Sequence, residues 1–365
     1  MKILYVTTVP GTVKFFKRFI KDLIDEGHTV DIACNNTKVD VIPYFYELGC
    51  KVYTISTSRS PLNFGNLKAI KQIKKLVREN GYDIVHCHTP VAAMCTRLAC
   101  KGLRKKQGVR VIYTAHGFHF YKGAPKKNWI LFYPIEKLCA RYTDVLITIN
   151  QEDFALAKKK MKAKQVVYVP GVGIDLERFS SIFINKAEKR REIGVPEETA
   201  LLFSVGELNE NKNQATVIKA IKDLDIHYAI AGEGPSKNAL DVLSEELGIS
   251  DRVHFLGYRT DVLEIYLASD FYAFPSYREG LSVALMEAMA SGLPVACSRI
   301  RGNTDLIDEN GGMLFDPHSV EECKVAISSL LSCDINEMGK YNKEKVKGFS
   351  YDIVKSIMLD ILEIN

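Results

Sequence analysis

Short apolar segments rich in β-branched residues alternate with amphipathic segments along nearly the whole chain. In residues 67–77 apolar side chains recur every three or four positions and lysines fill the gaps, which is typical of a helix with one buried face. Runs such as residues 145–149 and 201–205 are shorter and mostly apolar, which indicates buried strands. Strands alternating with helices predict an α/β fold in which parallel sheets are joined by right-handed crossovers.

The same pattern locates the individual elements. The predicted strands are residues 3–7, 30–34, 52–55, 84–88, 109–115, 145–149, 166–169, 201–205, 228–231, 253–256, 271–274, 295–297 and 313–315. The clearest predicted helices are residues 15–25, 67–78, 214–221 and 239–247.

The pattern begins again after a turn-rich stretch at residues 170–175, and we place a domain boundary there. We expect one doubly wound, Rossmann-like domain at residues 1–172 and a second at residues 173–349. Residues 350–365 have the apolar spacing of a final helix. Ligands of open α/β sheets bind outside the carboxyl ends of the strands, so we expect the active site in a cleft that both sheets face.

Composition and cysteine usage narrow the class of protein. Apolar residues make up 47% of the 365 residues and charged residues 25%, which argues against disordered and fibrous classes. Nine cysteines are scattered without a C-x-x-C motif, as expected of reduced thiols in a cytosolic protein. The N-terminal segment turns polar too early for a signal peptide, and no run of about 18 uncharged apolar residues could span a membrane. We therefore expect a cytoplasmic protein.

The net charge of +5 conceals two halves of opposite sign. Residues 1–180 contain 30 Lys and Arg against 14 Asp and Glu, a surplus of 16 positive charges. The remainder contains 19 against 30, a surplus of 11 negative charges. A basic half is attracted to anionic surfaces, and a basic residue contributes about 1 kcal/mol near acidic lipid. Nucleic acid is the competing partner, but we expect a membrane surface and no nucleic acid.

Two glutamates eight positions apart flank a Gly-Leu-Ser turn that opens an apolar stretch. Glu279 precedes the turn, and Glu287 lies on a predicted helix face otherwise made of Ala, Leu and Met. A helix over residues 281–291 would place unpaired N–H groups and a partial positive charge at its first turn, where an anion is expected. The first of these N–H groups would belong to Leu281, Ser282 and Val283.

These residues resemble the donor-binding motif of retaining glycosyltransferases of family 4, and the resemblance extends over essentially the whole chain. It implies the GT-B fold, with two Rossmann-like domains facing a cleft and a C-terminal helix that crosses back to the first domain. It also implies that Glu279 contacts hydroxyls of the transferred sugar and that Glu287 holds the ribose of the nucleotide. The backbone from Gly280 to Val283 would receive the diphosphate. Among family members, the chain is most similar to bacterial transferases of exopolysaccharide and capsule assembly.

A second loop, at residues 205–213, resembles the family's Gly-Arg-Leu-x-x-x-Lys sequence and follows a predicted strand. The resemblance implies that Gly206 and Lys212 lie against the phosphates, where the lysine would stabilise charge that develops on the leaving diphosphate. Glu207 stands where the family has arginine. We expect another basic residue to compensate for this charge reversal.

Histidines follow two of the predicted strands of the first domain. His116 matches the family's active-site histidine, which lies against the transferred sugar, and we assign it a catalytic role. His88 ends the strand at residues 84–88 and could face the acceptor, but histidines at strand ends are more often structural. We favour the structural interpretation for His88 and for His119.

Two other loops complete the predicted donor site. Gly11 occupies the place of a phosphate-binding turn in related enzymes, although a plain turn between strand and helix is equally consistent. Tyr258 and Arg259 match the loop that holds the base through backbone groups.

No metal or cofactor is expected beyond the nucleotide-sugar co-substrate. Metal-dependent transferases of the other main fold hold a divalent ion with an Asp-x-Asp motif. Asp223 and Asp225 form such a motif, but at a predicted helix-to-strand turn well before the donor motif. On the acceptor side, residues 118–133 interleave aromatic residues with lysines. This segment suits either a membrane interface or a helix that packs its aromatic face on the core.

The sequence therefore predicts a retaining glycosyltransferase that moves a hexosyl or N-acetylhexosaminyl group from a nucleotide-sugar, expected to be UDP-linked, to a polyprenyl-diphosphate-linked glycan. We expect it at the inner face of a bacterial plasma membrane, with its basic half against the lipid. Two other functions stay open. A UDP-sugar 2-epimerase of similar fold would release an epimerised sugar nucleotide without any acceptor, and a non-catalytic scaffold for polysaccharide assembly would bind no nucleotide-sugar.

Overall fold

The structure is a computed structural model that describes residues 1–364. The chain divides into two compact units. The first unit consists of Met1–Val172 together with the residues from Lys355 onward, and the second unit is Gly173–Val354.

The first unit is built on a seven-stranded parallel sheet in the order β3-β2-β1-β4-β5-β6-β7. Its strands are β1 (Lys2–Val6), β2 (Thr29–Cys34), β3 (Val52–Thr54), β4 (Ile84–His88), β5 (Arg110–Ala115), β6 (Val145–Thr148) and β7 (Gln165–Tyr168). Its helices before the domain boundary are α1 (Lys17–Asp25), α2 (Pro43–Glu47), α3 (Gly65–Asn80), α4 (Pro90–Cys100), α5 (Leu103–Gln107), α6 (Lys126–Ala140) and α7 (Gln151–Lys160). A 3₁₀ helix, Pro10–Phe16, precedes α1.

The second unit is built on a six-stranded parallel sheet in the order β10-β9-β8-β11-β12-β13. Its strands are β8 (Leu201–Val205), β9 (His227–Ala231), β10 (Val253–Gly257), β11 (Phe271–Phe274), β12 (Val295–Ser298) and β13 (Gly312–Phe315). The helices from the boundary onward are α8 (Glu177–Ser180), α9 (Lys186–Glu192), α10 (Gln214–Ala220), α11 (Lys237–Glu246), α12 (Val262–Ala268), α13 (Val283–Ala290), α14 (Asn303–Leu306), α15 (Val320–Leu331), α16 (Ile335–Lys345) and α17 (Tyr351–Leu362). Short 3₁₀ helices lie at Glu210–Lys212, Ser250–Arg252 and Val346–Phe349.

These elements confirm the predicted α/β class. All thirteen predicted strands are present, and each of their ends lies within one residue of the predicted position. The predicted helix at residues 15–25 is instead a 3₁₀ helix up to Phe16 followed by α1. Pro10 occupies the first position of the 3₁₀ helix and favours a helical turn there. The φ of proline is fixed near the helical value, and the N–H that proline lacks would have no partner at the first position of a helix.

The strand order reverses once in each sheet. In the first sheet the reversal lies between β1 and β4, and in the second between β8 and β11. Ligands of open α/β sheets bind at such switch points, outside the carboxyl ends of the strands. In each unit we therefore expect a ligand-binding site at the loops that follow these strands and at the neighbouring loops.

The core of the first unit contains a buried ion pair. Arg97 of α4 and Glu136 of α6 are 0% and 5% exposed, and Nη1 of the arginine donates to Oε2 of the glutamate at 2.8 Å. Arg97 Nε also donates to the carbonyl oxygen of Ala93 at 3.0 Å, and the Tyr113 hydroxyl of β5 donates to the same carboxylate at 3.3 Å. The pair thus joins two helices and the sheet at one point.

The last helix contacts the first unit from Lys355 onward. Lys355 Nζ lies 2.9 Å from a carboxylate oxygen of Asp22 and 3.1 Å from one of Glu26, both in or next to α1. Arg110 at the start of β5 donates to the carbonyl oxygen of Ile361 at 3.0 Å.

Cysteine pairing and membrane-spanning segments can be checked directly. All nine cysteines are unpaired and eight are buried, which agrees with the prediction of reduced thiols. Among residues 1–364, no helix combines the length and the apolar character that crossing a membrane requires.

Candidate functional site

Lys212 and Glu279 meet at the switch point of the second sheet. The lysine ends the loop after β8, and the glutamate lies in the loop after β11. Lys212 Nζ lies 2.8 Å from Glu279 Oε1, and the two side chains are 23% and 16% exposed. The ammonium group also sits 4.9 Å from the centre of the Phe274 ring. Two residues 67 positions apart in sequence therefore form one partly buried, reachable ion pair.

Two glycines after β9 give the Lys212 loop its shape. A Cβ atom at Gly232 would lie 1.9 Å from the carbonyl oxygen of Gly206, and one at Gly234 would lie 2.3 Å from that of Leu208. Both glycines have φ values near +150°, which side chains rarely permit. The predicted Gly206 thus lies where the loop after β8 packs on the loop after β9. Gly232 and Gly234 were not predicted from the sequence, although a Gly-x-Gly directly after a strand could have indicated them.

Asparagines fasten the Lys212 loop to the loop after β11. Asn213 has φ +55° and is buried, and its side-chain amide donates to the carbonyl oxygen of Pro275 at 3.0 Å. Asn211 donates to the carbonyl oxygen of Arg278 at 3.1 Å, and its own carbonyl accepts from the N–H of Tyr277 at 2.8 Å. These bonds fix the backbone on both sides of the ion pair.

The loop after β12 supports the Glu279 loop from another side. Arg301, only 9% exposed, donates from Nε to the backbone carbonyl of Glu279 at 3.2 Å. Gly302 has φ +80°, and a Cβ atom there would lie 1.9 Å from the carbonyl oxygen of Gly280. Neither Arg301 nor Gly302 was predicted from the sequence, because neither belongs to the two donor-site motifs. Arg301 brings a second cation to the loop that holds Glu279.

The helix after Glu279 begins two residues later than predicted. Helix α13 starts at Val283, and Ser282 is its N-cap, with an extended backbone and a side-chain oxygen that accepts from the N–H of Leu285 at 3.3 Å. Leu281 lies in the bend before the cap, so its N–H is not part of the first helical turn. The helix-terminal N–H groups left for a ligand are those of Val283 and Ala284.

Glu287 is half-buried in the apolar helix, as predicted from its neighbours. Its Oε2 accepts a long bond of 3.4 Å from the Tyr266 hydroxyl, which also donates to the carbonyl oxygen of Ala284 at 2.9 Å. Burial raises the pKa of Glu287 above its usual range, while the charge of Arg178 and the tyrosine bond oppose that rise. The carboxylate can still accept further hydrogen bonds, because the bond from Tyr266 is weak.

The two residues predicted to hold a base lie after the edge strand β10. Tyr258 is 77% exposed. Arg259 forms ion pairs with Asp261, 2.5 Å away, and with Glu192 of α9, also 2.5 Å away. The guanidinium therefore ties this loop to α9 and to the start of α12, and it is the backbone of the loop and the exposed Tyr258 side chain that are left to contact a base.

In the first unit, three histidines and two aromatic residues form a cluster at the carboxyl end of the sheet. Nδ1 of His88 lies 3.2 Å from Nε2 of His116, and the His86 and His88 ring centres are 4.2 Å apart. Phe16 stacks on His88 at 4.2 Å, and Tyr5 lies 5.5 Å from the same ring. His88 is thus packed against His116.

Burial keeps all three histidines neutral at neutral pH. It lowers the pKa of His86 to about 3 and that of His116 to about 4, and it holds the pKa of His88 well below its usual range. Charge repulsion among the rings acts in the same direction on His86 and His88. A neutral imidazole at position 116 can donate or accept a hydrogen bond without carrying charge.

The loop after β1 lies beside the loop after β4. The N–H of Thr8 donates to Oγ1 of Thr89 at 3.1 Å, and Thr89 has φ +63°, which is rare for a β-branched residue. Gly11 lies in the 3₁₀ helix without positive φ, and a Cβ atom there would meet open space. The backbone itself therefore does not require glycine at position 11.

Comparisons with known proteins show the family to which the chain belongs. Residues 2–150 match the model of family 4-like glycosyl transferases, and residues 185–347 match that of glycosyl transferases group 1. EpsD of Bacillus subtilis, a provisionally named glycosyltransferase, is 38% identical over 324 residues, which cover 86% of this chain and 83% of EpsD. The chain belongs to the group 1, family 4-like glycosyltransferases.

Other relatives of this glycosyltransferase have more specific names. An Escherichia coli enzyme named UDP-Gal:α-D-GlcNAc-diphosphoundecaprenol α-1,3-galactosyltransferase is 28% identical over 316 residues, covering 81% of this chain and 80% of the enzyme. Among solved structures, HepE of Anabaena in complex with UDP covers the whole of both chains with a TM-score of 0.82 at 17% identity. The latter similarity confirms the predicted GT-B fold.

In this glycosyltransferase the aromatic residues that follow the His116 loop pack inward. Trp129, Phe132 and Tyr133 of α6 contact the core of the first unit, and the indole N–H of Trp129 donates to the carbonyl oxygen of Tyr121 at 3.2 Å. The His119 ring contacts the Phe132 ring at a tilt of 37°, with ring centres 4.5 Å apart. Of the two interpretations of residues 118–133, core packing is the one that fits these side chains.

The Asp-x-Asp motif of the glycosyltransferase lies at a turn, as its position in the sequence indicated. Asp223 forms an ion pair with Lys324 of α15 at 2.8 Å. Within residues 1–364, no group of three or more His, Cys, Asp or Glu side chains is arranged to hold a metal ion.

Proposed function

We propose that this glycosyltransferase transfers a hexosyl or N-acetylhexosaminyl group from a UDP-linked donor to a polyprenyl-diphosphate-linked glycan, with retention at the anomeric carbon, in bacterial polysaccharide synthesis. The donor class is supported by the UDP and UDP-glucose complexes of HepE and by the UDP-Gal in the name of the E. coli relative. The acceptor class is supported by the diphosphoundecaprenol in that same name. Retention rests on the family resemblance.

The observation that carries the proposal is the contact between Lys212 and Glu279 beside the start of α13. A glycosyl donor loses a diphosphate, so its site must stabilise negative charge on phosphate oxygens in a partly dry environment. Lys212, Arg301 and the N–H groups of Val283 and Ala284 provide two cations and two aimed donors on adjacent loops. We assign Arg301 as the basic residue that compensates for the negative charge of Glu207.

We assign the carboxylates to the sugars of the donor. Glu279 would accept hydrogen bonds from hydroxyls of the transferred sugar while Lys212 holds its second oxygen in place. Glu287, half-buried about one turn into α13, would accept from the ribose hydroxyls of the nucleotide. The loop of Tyr258 would contact the base through its backbone.

The transfer itself needs no covalent enzyme intermediate. The bond between the anomeric carbon and the phosphate oxygen breaks, and the acceptor hydroxyl forms the new bond on the same face of the sugar. The hydroxyl proton moves to the departing phosphate oxygen, so that atoms and charge balance. His116, neutral at neutral pH, would hydrogen-bond the transferred sugar; this role is assigned from the family resemblance. We propose that no metal ion takes part.

A membrane location accompanies a lipid-linked acceptor. The first 180 residues carry a surplus of 16 positive charges, which suits the anionic inner face of a bacterial plasma membrane. We propose that the enzyme works in the cytoplasm as a peripheral protein of that surface and does not bind nucleic acid.

Calorimetry and turnover assays with a panel of nucleotide-sugars test the donor site. Lys212→Ala should weaken binding of UDP and lower turnover by about 100-fold or more, because removing one donor to a developing anion has that order of effect. Glu279→Gln should lower turnover similarly but leave UDP binding unchanged or tighter, because the lysine then has no competing carboxylate. Lys219→Ala and Glu246→Gln, both at exposed helix positions, are the matched controls.

The same experiments distinguish the alternative functions. An epimerase would convert the sugar nucleotide when it is incubated alone, which NMR detects as a new anomeric signal. A scaffold would bind no member of the panel. Normal turnover in both Lys212→Ala and Glu279→Gln would refute the assignment of the site.

A further inference from the structure

Three large apolar side chains project into solvent between β3 and the first turn of α3. Leu62, Phe64 and Leu67 are 72%, 88% and 60% exposed, and they lie within six consecutive positions of the first unit. Single exposed apolar residues are ordinary on protein surfaces, but a contiguous group of this size marks a surface that something covers. We call residues 59–67 the apolar tip.

The backbone of the apolar tip is held by a buried asparagine. Asn66 is 3% exposed, and its side-chain amide donates to the carbonyl oxygens of Ser60 at 2.9 Å and Pro61 at 3.2 Å. Its Oδ1 accepts from the N–H of Ser58 at 3.3 Å, and the side chain of Asn63 accepts from the N–H of Gly65 at 2.7 Å. The buried side chain of Asn66 thus organises the loop from inside, while the apolar side chains of Leu62, Phe64 and Leu67 point outward. Folding forces alone would favour the opposite arrangement.

A basic helix face continues directly from the apolar tip. Leu67, Lys71, Lys74 and Arg78 follow one another at helical spacing along α3, and all four are exposed. Between residues 56 and 80 the sequence has six basic residues and one acidic residue, Glu79. The basic residues are Arg59, Lys68, Lys71, Lys74, Lys75 and Arg78.

We propose that the apolar tip inserts into a bilayer of anionic phospholipid while the basic face of α3 lies on the phosphate headgroups. The inference deepens the proposed membrane association, on which it rests, by naming the segment that docks. A protruding apolar group followed by charges of one sign matches a surface with an apolar interior and an anionic exterior. A nucleic acid would use the charges but offers no apolar phase for Leu62 and Leu67. A protein partner would have to supply both an acidic surface and an apolar pocket.

Co-sedimentation of the full-length protein with vesicles tests this proposal. The wild type should bind vesicles of phosphatidylcholine and phosphatidylglycerol, and bind phosphatidylcholine alone much more weakly. Leu62→Ser/Phe64→Ser should lower the affinity for the anionic vesicles by about 10-fold or more, because the variant lacks two apolar side chains that the bilayer would bury. Phe183→Ser is the matched control, since Phe183 is 96% exposed but belongs to the second unit and is not part of the apolar tip. Lys71→Glu/Lys75→Glu should weaken binding and reduce its dependence on salt.

A fluorescence reporter distinguishes insertion from adsorption. In the Trp129→Phe background, Phe64→Trp makes position 64 the sole fluorescent indole, because the chain has one tryptophan. Its emission should shift to shorter wavelength on anionic vesicles if the side chain enters the bilayer. An unshifted spectrum in vesicle-bound protein would refute insertion.

Three other results would overturn the proposal. The first is absence of wild-type binding to anionic vesicles, and the second is equal binding by Leu62→Ser/Phe64→Ser and the wild type. The third is a wild-type dimer that this variant abolishes, because a second copy of the chain would then be what covers the apolar tip. Donor binding by calorimetry should be the same in Leu62→Ser/Phe64→Ser and wild type. A protein that binds vesicles but no nucleotide-sugar would therefore contradict only the proposed donor chemistry, and the reverse result would contradict only the docking segment.

Discussion

Replacing Gly302 by alanine tests whether the loop after β12 holds the Glu279 loop in its working position. A Cβ atom at Gly302 would lie 1.9 Å from the carbonyl oxygen of Gly280. Since contacts of real Cβ atoms stay above 3.0 Å, the two backbones must separate by at least 1.1 Å, the difference between these distances. Glu279 is the residue directly before Gly280, so its carboxylate would move away from Lys212.

Two effects of different size are expected from Gly302→Ala. A residue with a side chain at φ +80° is strained by about 1–2 kcal/mol, which would lower the melting temperature of a unit of this size by about 2–8 °C. The displacement acts on function, because a shift of about 1 Å at a catalytic group can lower turnover by about 100-fold. Gly248→Ala provides the matched control. Gly248 has φ +67°, and a Cβ atom there meets nothing within 4 Å, so this variant carries the strain without the displacement.

The assay compares thermal unfolding and donor turnover in both variants. Gly248→Ala should lose stability but keep the turnover of the folded enzyme. Gly302→Ala should lose at least as much stability and, at a temperature where it remains folded, turn over donor about 100-fold more slowly. Equal turnover in the two variants would refute the reasoning, since it would mean that the Glu279 loop tolerates the displacement or does not contribute to the reaction.

The remaining predictions concern acid stability, the buried ion pair and metal. His86 has a pKa of about 3 in the fold and about 6.5 when unfolded, so the unfolded state binds more protons between these values and stability falls as the pH is lowered. At pH 5 His86 alone contributes about 2 kcal/mol to this loss, and His88 and His116, whose pKa values burial also lowers, add to it. Chemical denaturation should show this loss, and His86→Asn should reduce it by that amount. Glu136→Gln, which leaves Arg97 buried without a counter-charge, should cost about 3–5 kcal/mol in the same assay, and Arg97→Met/Glu136→Leu should cost less. Treatment with EDTA should leave turnover unchanged; a loss that manganese restores would contradict the proposed metal-independent reaction.

The fold was predictable because its determinants are local. Thirteen apolar runs of strand length, separated by amphipathic segments, leave few alternatives to parallel sheets. The start of the helix after Glu279 was predicted less well. Ser282 caps that helix, and the backbone just before it is in close contact with Gly302, so that the contact at Gly280 joins residues 22 positions apart. A single sequence does not encode such a contact in any periodic pattern.

The candidate site was predictable to the extent that its residues belong to contiguous motifs. Lys212 and Glu279 were named from separate motifs, and the structure brings them into contact. Arg301, Gly232 and Gly234 were missed, because they act by packing against those motifs from other loops. Their roles follow from the strand order, which places the loops after β8, β9, β11 and β12 along one edge of the sheet.

The strand order also explains how the site can tolerate Glu207. An exposed charge interacts weakly with its surroundings, since water reduces the energy of two charges 4 Å apart to about 1 kcal/mol and salt screens it further. Glu207 is exposed, whereas Arg301 is 9% exposed and the Lys212 side chain 23%. The two cations therefore act in a less polar environment, where the same charge has a larger effect. A negative charge at the exposed position of one loop can be outweighed by a buried arginine on another, provided that the edge of the sheet brings both loops to the same diphosphate.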